Sequence, residues 1–479
     1  MAESSAILSL DQVIAFTGGR LVSRVSETDF TRVVTDSRQA RPGDLFVALL
    51  GERFDGHDFV AQAVANGAQG VVVSRETGTV LQDRRHLPAV IRVPDTLKAL
   101  GNLAAGRRGL FQVPVGVLTG SNGKTTTKEM TVSVLRLCFR CLWTPGNLNN
   151  RIGLPMTLLN LDATHERVVL EMGMNEPGEI RELTRICRPS VGALLNVGPA
   201  HLGRFRSMEE VAQAKGEMLE AMPEESVLVF NQDDPRVVSL AETWKGPVRG
   251  YGLTPGCSVS VTDLVEAGLR QRIRLLIDEE EVATELRVPG RHNLYNALAA
   301  AALATSLGAG CEAVAQGLAA FGGVPGRFVI REGRAFTVVD DSYNANPSSM
   351  QVSLETFAKI SGAAPRILVL GDMLELGDFS AREHEALGRW AARLDPALLC
   401  VTGSFAEYVI RGAGGEGCPP QRMLTFRDPE EAAARILAGV RGGEWILVKG
   451  SRGVALERVV QSLIEQQSPP SRARLETTR

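Results

Sequence analysis

The run Val115-Gly116-Val117-Leu118-Thr119-Gly120-Ser121-Asn122-Gly123-Lys124-Thr125-Thr126-Thr127 places a lysine behind two glycines at the end of an apolar stretch. This pattern predicts a buried strand, a phosphate-binding loop and the first turn of a helix. Glycines 120 and 123 let the backbone curl so that successive N–H groups point at one anion, and the helix start adds the positive end of its dipole. Lys124 would neutralise the outer phosphates of a nucleoside triphosphate, and Thr125 supplies a hydroxyl where phosphate loops hold magnesium. Thr119, Gly120, Ser121, Asn122, Gly123, Lys124, Thr125 and Thr126 are therefore the candidate triphosphate residues. Leu118 stands where the G-x-x-x-x-G-K-[ST] pattern has its first glycine, so the loop is a shorter variant. An ordinary glycine turn would account for the glycines but not for the Gly-Lys-Thr-Thr run.

Ligands of parallel sheets gather at the carboxyl ends of strands. Val168-Val169-Leu170 runs into Glu171, and Ala193-Leu194-Leu195-Asn196-Val197-Gly198 runs toward His201; both would lie beside the phosphate loop. One or two such ligands suit a magnesium ion shared with phosphates. Glu171 also reads as a capping or surface carboxylate, and His201 as a hydrogen-bonded loop histidine.

Ser207-Met208-Glu209-Glu210 reads as a capping box opening a helix whose apolar stripe is Val211, Met218 and Met222. Lys215 falls on that stripe, where an ammonium is costly unless its pKa drops or it pairs. A neutral lysine amine can capture carbon dioxide as a carbamate and become a carboxylate-like metal ligand. Residue type alone favours the plainer reading, a lysine snorkelling to the helix edge beside Glu217 or Glu220. Asn293 and Asn296 open an alanine-rich helix on one face, where they would meet a base or cap the helix. Arg327 stands between two α/β stretches, within reach of a γ-phosphate if they close. Asp340-Asp341-Ser342-Tyr343-Asn344 follows a strand and is too polar for core. Lys449-Gly450-Ser451-Arg452-Gly453 reads equally as a second anion site or a plain strand-to-helix turn.

The elements that must position these residues form three successive stretches, and a length of 479 residues suggests about three domains. Residues 1–108 carry short strands at 45–49, 70–73 and 90–93 with a helix at 60–66. Residues 109–325 alternate strands with helices after the phosphate loop, the signature of a mostly parallel sheet. Residues 326–467 repeat the alternation, with strands near 337–340, 366–370, 398–402 and 445–448 and a helix through Ile464. Residues 468–479 have no apolar periodicity and read as a disordered tail.

With 52 basic and 55 acidic residues, the chain has no field suited to nucleic acid and no polybasic membrane patch. No apolar run reaches the ~20 residues that span a bilayer, and no signal-peptide pattern is expected. A soluble, cytoplasmic protein is predicted. Seven scattered cysteines fit a reducing compartment. Cys138 and Cys141 form a C-x-x-C inside an expected helix over 130–142, with no second pair to complete a zinc site.

Taken together these residues resemble the Mur ligase family of peptidoglycan synthesis, over nearly the whole chain. The resemblance rests on Thr119-Gly120-Ser121-Asn122-Gly123-Lys124-Thr125, Gly146-Asn147-Leu148-Asn149-Asn150, Ala200-His201-Leu202, Ala214-Lys215-Gly216-Glu217, Asp341-Ser342-Tyr343-Asn344-Ala345-Asn346-Pro347 and Gly371-Asp372-Met373-Leu374-Glu375-Leu376-Gly377. It implies three α/β domains: one for the UDP end of a substrate, a central ATP-binding domain with a mostly parallel sheet, and a Rossmann-like C-terminal ligase domain. It implies ATP at Lys124 and the loop amides, and Mg2+ at Thr125, Glu171 and His201, with Lys215 carbamylated and serving the metal site. The catalytic set would be Lys124, Glu171, His201 and Lys215. Asn293 and Asn296 would lie at the adenine, Arg327 at the γ-phosphate and Asp341 at the ribose.

For the UDP end the resemblance offers Thr35-Asp36-Ser37-Arg38 and Asp55-Gly56-His57, hence Ser37, Arg38, Asp55 and His57, although such clusters are commonly just turns. The asparagine-rich run and the Gly371–Gly377 run point to the member that joins D-alanyl-D-alanine to UDP-MurNAc-tripeptide through an acyl phosphate, acting as a monomer on small molecules. A sister ligase adding a diamino acid would share every ATP residue, and a P-loop phosphotransferase would share the loop alone. Arg151 and Gly203 depart from the family pattern, where an acidic or neutral residue and a glutamate are more usual.

Overall fold

The structure is a computed structural model that describes residues 7–23, 28–51, 53–76, 88–199, 203–205, 207–333 and 335–467. It contains three α/β layers, each built on its own sheet, so the expected three-domain α/β class is observed. The first sheet has five strands in the order Arg20–Leu21, Ala89–Arg92, Gly70–Val73, Asp44–Val47, Arg32–Val34, all parallel except the first pair. Gly70–Val73 is buried along its whole length, as expected of a parallel strand covered on both faces.

The central sheet has nine strands. From one edge, Cys141–Trp143, Arg167–Glu171, Val115–Thr119, Val191–Leu194, Val227–Asn231 and Val248–Tyr251 run parallel. Register puts Glu171 beside Leu118 and Leu194 beside Thr119, so these carboxyl ends open on one crevice. Beyond Tyr251 the expected strand-helix alternation stops. Val259–Ala267, Arg270–Ile277 and Glu280–Leu286 form an antiparallel extension. Its middle strand buries Gln271, Ile273, Leu275 and Ile277 and exposes Arg270, Arg272 and Arg274, the period-two pattern of a sheet with one wet face.

The helix Lys124–Leu135 starts at Gly123 with φ 82°, and no side chain caps it, so its first N–H groups stay available to an anion. Thr127, Lys128, Met130, Thr131 and Val134 are buried; Met130 and Val134 pack in the cluster of the Arg291–Ser306 helix, whose alanines permit close approach, and Thr127 bonds Asn296 of that helix. The helix ends at Leu135 rather than continuing through 142. Cys141 instead opens the edge strand Cys141–Trp143, held by its ladder to Arg167–Val169, a non-local pairing that overrides local helix pattern. All seven cysteines are free, and burial pushes the Cys141 thiol up to about 11, the opposite of an activated redox pair.

The third sheet has six strands in the order Val329–Glu332, Phe336–Asp341, Glu444–Lys449, Arg366–Leu370, Leu398–Val401, Met423–Thr425, parallel after the first antiparallel pair. Two apolar clusters cover its faces, one around Phe357 and Leu370 and the other around Val369 and Ile446. The expected tail at 468–479 lies outside the described residues. No helix among the described residues is long and apolar enough to cross a membrane.

Candidate active site

A cavity of about 740 Å³ opens where the carboxyl ends of the central sheet meet the third domain. The predicted phosphate loop, Thr119 to Thr126, forms one wall. Ser121 Oγ and Gly198 exchange two 2.9 Å hydrogen bonds. Asn196 Oδ1 accepts from Asn122 N at 2.8 Å while its Nδ2 donates to Asn122 O at 3.0 Å. Lys124 Nζ folds back onto Gly120 O at 2.7 Å. Burial holds the Lys124 ammonium below its ordinary pKa, with Glu171 opposing and Arg327 adding to the shift. An incoming anion would relieve both effects.

Glu171 is 2 % exposed and is no capping or surface carboxylate. Asn149 Nδ2 donates to Oε1 at 2.6 Å, and Glu171 N donates to Thr144 Oγ1 at 3.0 Å. Its Oε2 is buried without a hydrogen-bond partner, an expensive condition that a cation in the cavity would repair. The donor set therefore fits a hard oxygen-seeking ion that takes most of its ligands from phosphate and water. No cluster of three or more His, Cys, Asp or Glu that could hold a metal by itself occurs among the described residues. His201 lies outside the described residues.

Ser207 caps the Met208–Ala221 helix by accepting from Glu210 N at 3.2 Å. Lys215 is 2 % exposed and lines the cavity. Its pKa is driven well below the ordinary lysine value by burial first and by Lys124 second. The snorkelling alternative fails on geometry: Glu217 accepts from Gly178 N at 2.6 Å and Arg181 N at 3.2 Å, and Glu220 pairs with Arg181 at 2.6 Å. Both carboxylates are committed to the neighbouring helix.

Asn293 and Asn296 face the cavity. Neither caps its helix, whose N-cap is Gly290 with no side-chain cap. Asn293 Nδ2 reaches Pro289 O at 2.8 Å, Asn296 Nδ2 reaches Asn293 Oδ1 at 3.2 Å, and Thr127 Oγ1 donates to Asn296 Oδ1 at 3.3 Å. The Arg327 guanidinium lies 4.0 Å from the Tyr343 ring centroid, its pKa lowered by burial against Asp341 and Glu171. Asp341 accepts from Lys449 Nζ at 2.6 Å and from Phe328 N at 3.1 Å. The Lys449 ammonium, which also donates to Asn344 O at 3.1 Å, is thus spoken for, which removes it from the second anion site suggested by sequence.

The four UDP-end candidates lie apart from this cavity. Ser37 Oγ donates to Gln62 Oε1 at 2.8 Å, and the exposed Arg38 pairs with Asp36 at 2.8 Å. Asp55 caps its short helix through His57 N at 2.9 Å and holds His57 Nδ1 at 2.6 Å, while His57 Nε2 accepts from Ser74 N at 2.9 Å. These contacts are the local turn chemistry that Asp and Ser clusters ordinarily make.

Both departures have physical reasons. Arg151 pairs with Glu182 at 2.7 Å. Gly203 N donates to Glu375 O at 2.8 Å, and a Cβ at 203 would stand 2.9 Å from Glu375 O and 3.0 Å from Gly377 N. The third domain's backbone occupies the space a glutamate would need. Sequence reasoning also missed a direct link from that domain to the phosphate loop: Asn122 Nδ2 donates to Ser348 Oγ at 2.8 Å and Asn346 Nδ2 donates to Asn122 Oδ1 at 2.9 Å.

Known proteins resemble this chain over nearly its whole length. Residues 29–108 match the model of the Mur ligase family catalytic domain, residues 118–304 the Mur ligase middle domain and residues 326–452 the Mur ligase glutamate ligase domain. The chain is 38% identical to UDP-N-acetylmuramoyl-tripeptide:D-alanyl-D-alanine ligase of Escherichia coli, covering 96% of this chain and 98% of that protein. It is 33% identical to the Bacillus subtilis ligase of the same name, over 90% of this chain and 93% of the other. A crystal structure of MurF from Acinetobacter baumannii superposes with a TM-score of 0.85 at 35% identity, covering 95% and 98% of the two chains. MurF ligase from Thermotoga maritima in complex with ADP gives 0.80 at 32% identity, covering 91% and 97%. The chain belongs to the Mur ligase family.

Proposed function

We propose that the chain joins D-alanyl-D-alanine to UDP-N-acetylmuramoyl-tripeptide at the expense of ATP, releasing ADP and orthophosphate. The observation that carries this reading is the shared cavity: a phosphate loop, a buried carboxylate with an orphaned oxygen and the third domain's Tyr343–Asn346 segment all line it. The relatives at 33–38% identity, ligases of UDP-N-acetylmuramoyl-tripeptide and D-alanyl-D-alanine, support these substrates. The first domain takes the UDP end of the nucleotide peptide, the central domain ATP and the third domain the incoming dipeptide, with divisions near residues 108 and 325.

The tripeptide carboxylate attacks the γ-phosphate of ATP, giving an acyl phosphate and ADP. The dipeptide amine then attacks the activated carbonyl, and the tetrahedral intermediate collapses to an amide and orthophosphate. Two anions must meet in the first step, so charge neutralisation and alignment dominate. Lys124 and the uncapped helix N–H groups hold the outer phosphates, and Arg327 faces the transferred group from the third domain's side. Asn293 and Asn296 take the adenine and Asp341 the ribose. Thr125 and Glu171 would hold magnesium together with His201 and a carbamylated Lys215. The ion supplies Lewis-acid stabilisation of the phosphoryl oxygens. The neutral amine that carbamylation requires is favoured by the burial of Lys215 and by the neighbouring Lys124. Contacts of Asn346 and Ser348 with Asn122 keep the third domain over the site, excluding water that would hydrolyse the acyl phosphate.

The test is ADP release measured with each UDP-peptide and each amine added singly and together. The proposal expects release at full rate only with UDP-MurNAc-tripeptide and D-alanyl-D-alanine together, and its loss in Lys124→Ala with the fold intact. Equal release without the amine would instead indicate a phosphotransferase or hydrolase, and a preference for a diamino acid would indicate the sister ligase.

A further inference from the structure

Lys128 is fully buried, one helical turn beyond Lys124, and is not among the residues lining the cavity. Its ammonium has three donors and three acceptors within reach: Thr144 O at 2.6 Å, Gly146 O at 2.9 Å and Glu129 Oε1 at 2.9 Å. Burying a lysine is costly unless every donor is met, and here two of the three acceptors belong to one backbone segment. That segment carries the asparagine-rich run. Thr144 accepts from Glu171 N, and Asn149 donates to Glu171 Oε1, while Lys128 Nζ itself lies 4.0 Å from the orphaned Glu171 Oε2. Asn147, Asn149 and Asn150 line the cavity.

We infer that Lys128 is a positioning residue for the magnesium site: its ammonium ties the phosphate-loop helix to the 144–150 segment and thereby aims the Glu171 carboxylate at the metal. The phosphate loop and Glu171 follow neighbouring strands whose ladder already sets their backbone spacing; what Lys128 adds, through Thr144 and the segment that carries Asn149, is the direction of the Glu171 side chain. Groups that orient a metal ligand act through it, and their loss weakens metal affinity by about 10–100-fold without touching the ion. Lys128→Met keeps the length and apolar stem but leaves Thr144 O and Gly146 O unpaired, so the segment is free to shift and Glu171 with it. This inference rests on the assignment of Glu171 to magnesium.

The experiment measures ADP binding by calorimetry across a magnesium titration and in EDTA, with no catalysis involved, for the wild type, Lys128→Met and Glu171→Gln. The magnesium concentration that half-saturates the enhancement of ADP binding should rise about tenfold or more in Lys128→Met, while ADP affinity in EDTA stays at the wild-type value. A merely structural lysine would lower the unfolding midpoint or weaken ADP equally with and without magnesium. Should the Met variant not fold, Lys128→Gln, which retains amide donors for the carbonyls, should show the same shift in smaller measure. If Glu171→Gln shifts the magnesium dependence and a folded Lys128 variant does not, the role of Lys128 is refuted and the metal assignment stands. If Glu171→Gln leaves it unchanged, the metal assignment itself fails.

Discussion

Gly123→Ala probes the phosphate loop where its backbone meets Asn296, the residue proposed for the adenine. Gly123 has φ 82°, a left-handed conformation that costs an L-residue about 1–2 kcal/mol. A methyl group there would also lie well inside contact distance of Asn296 Oδ1. Asn296 must then move, giving up its bonds to Thr127 Oγ1 and Asn293 Oδ1, each worth about 1 kcal/mol. The combined penalty is about 3–4 kcal/mol, and because the loop can relax when empty, the cost falls on nucleotide binding as about two to three powers of ten in ADP affinity. Gly256→Ala is the control, since Gly256 has φ 91° but nothing within 4 Å of an added Cβ. It should lower stability by about 1–2 kcal/mol and leave ADP binding alone. Calorimetric titration with magnesium and ADP, beside thermal unfolding of both variants, separates the two effects. A folded Gly123→Ala protein that binds ADP within about threefold of the wild type, under 1 kcal/mol, would refute the reasoning.

Lys215→Ala should lose turnover and recover part of it with a small added carboxylate, which takes the place of the carbamate; full activity of the alanine variant at ambient carbon dioxide would eliminate that modification. Burial pulls the His292 imidazole down to about 4, with Asp341 opposing and Lys449 assisting, and its Nδ1 is buried without a partner. Between pH 6.5 and 4 the unfolded chain therefore takes up a proton that the folded chain refuses, so stability falls by up to about 3 kcal/mol as pH drops through that window and is flat above it. Denaturant unfolding from pH 7.5 to 4 should show that slope in the wild type and a shallower one in His292→Gln; identical slopes would contradict it. Asn122→Ala removes both contacts to Asn346 and Ser348, about 1–3 kcal/mol together. It should raise the dipeptide KM about tenfold and increase phosphate release without amine, and unchanged values for both would show that these contacts do not hold the third domain.

What was legible in the sequence was local. The strand, glycine turn and helix around Lys124 follow from residues adjacent in the chain, and the buried face of Lys215 follows from its spacing to Val211 and Met218. Strand-end logic found Glu171 because a parallel sheet forces its carboxyl ends together. The antiparallel extension at 259–286 departs from the expected strand-helix alternation, and its sequence signal is the arginine alternation of 270–274 between Gly268 and Asp278, which turn the chain at φ 62° and 56°. The helix expected through Cys141 failed because the pairing of Cys141–Trp143 with Arg167–Val169 is distant in sequence. The same distance hid the roles of Asn149, Lys128 and Asn122, whose partners stand 22, 16 to 18, and 224 to 226 positions away. Gly203 looked like a departure and is a fit, visible only once the Glu375–Gly377 backbone lies against it.

The central claim is that a substrate carboxylate is phosphorylated in the cavity before the amine arrives. Tripeptide substrate labelled with heavy oxygen in its terminal carboxylate tests it directly, by mass analysis of the orthophosphate released in a complete reaction. The account predicts one labelled oxygen in each orthophosphate, carried over from the acyl phosphate when the amide forms. Orthophosphate free of label, with the departing carboxyl oxygen found in water instead, would contradict it.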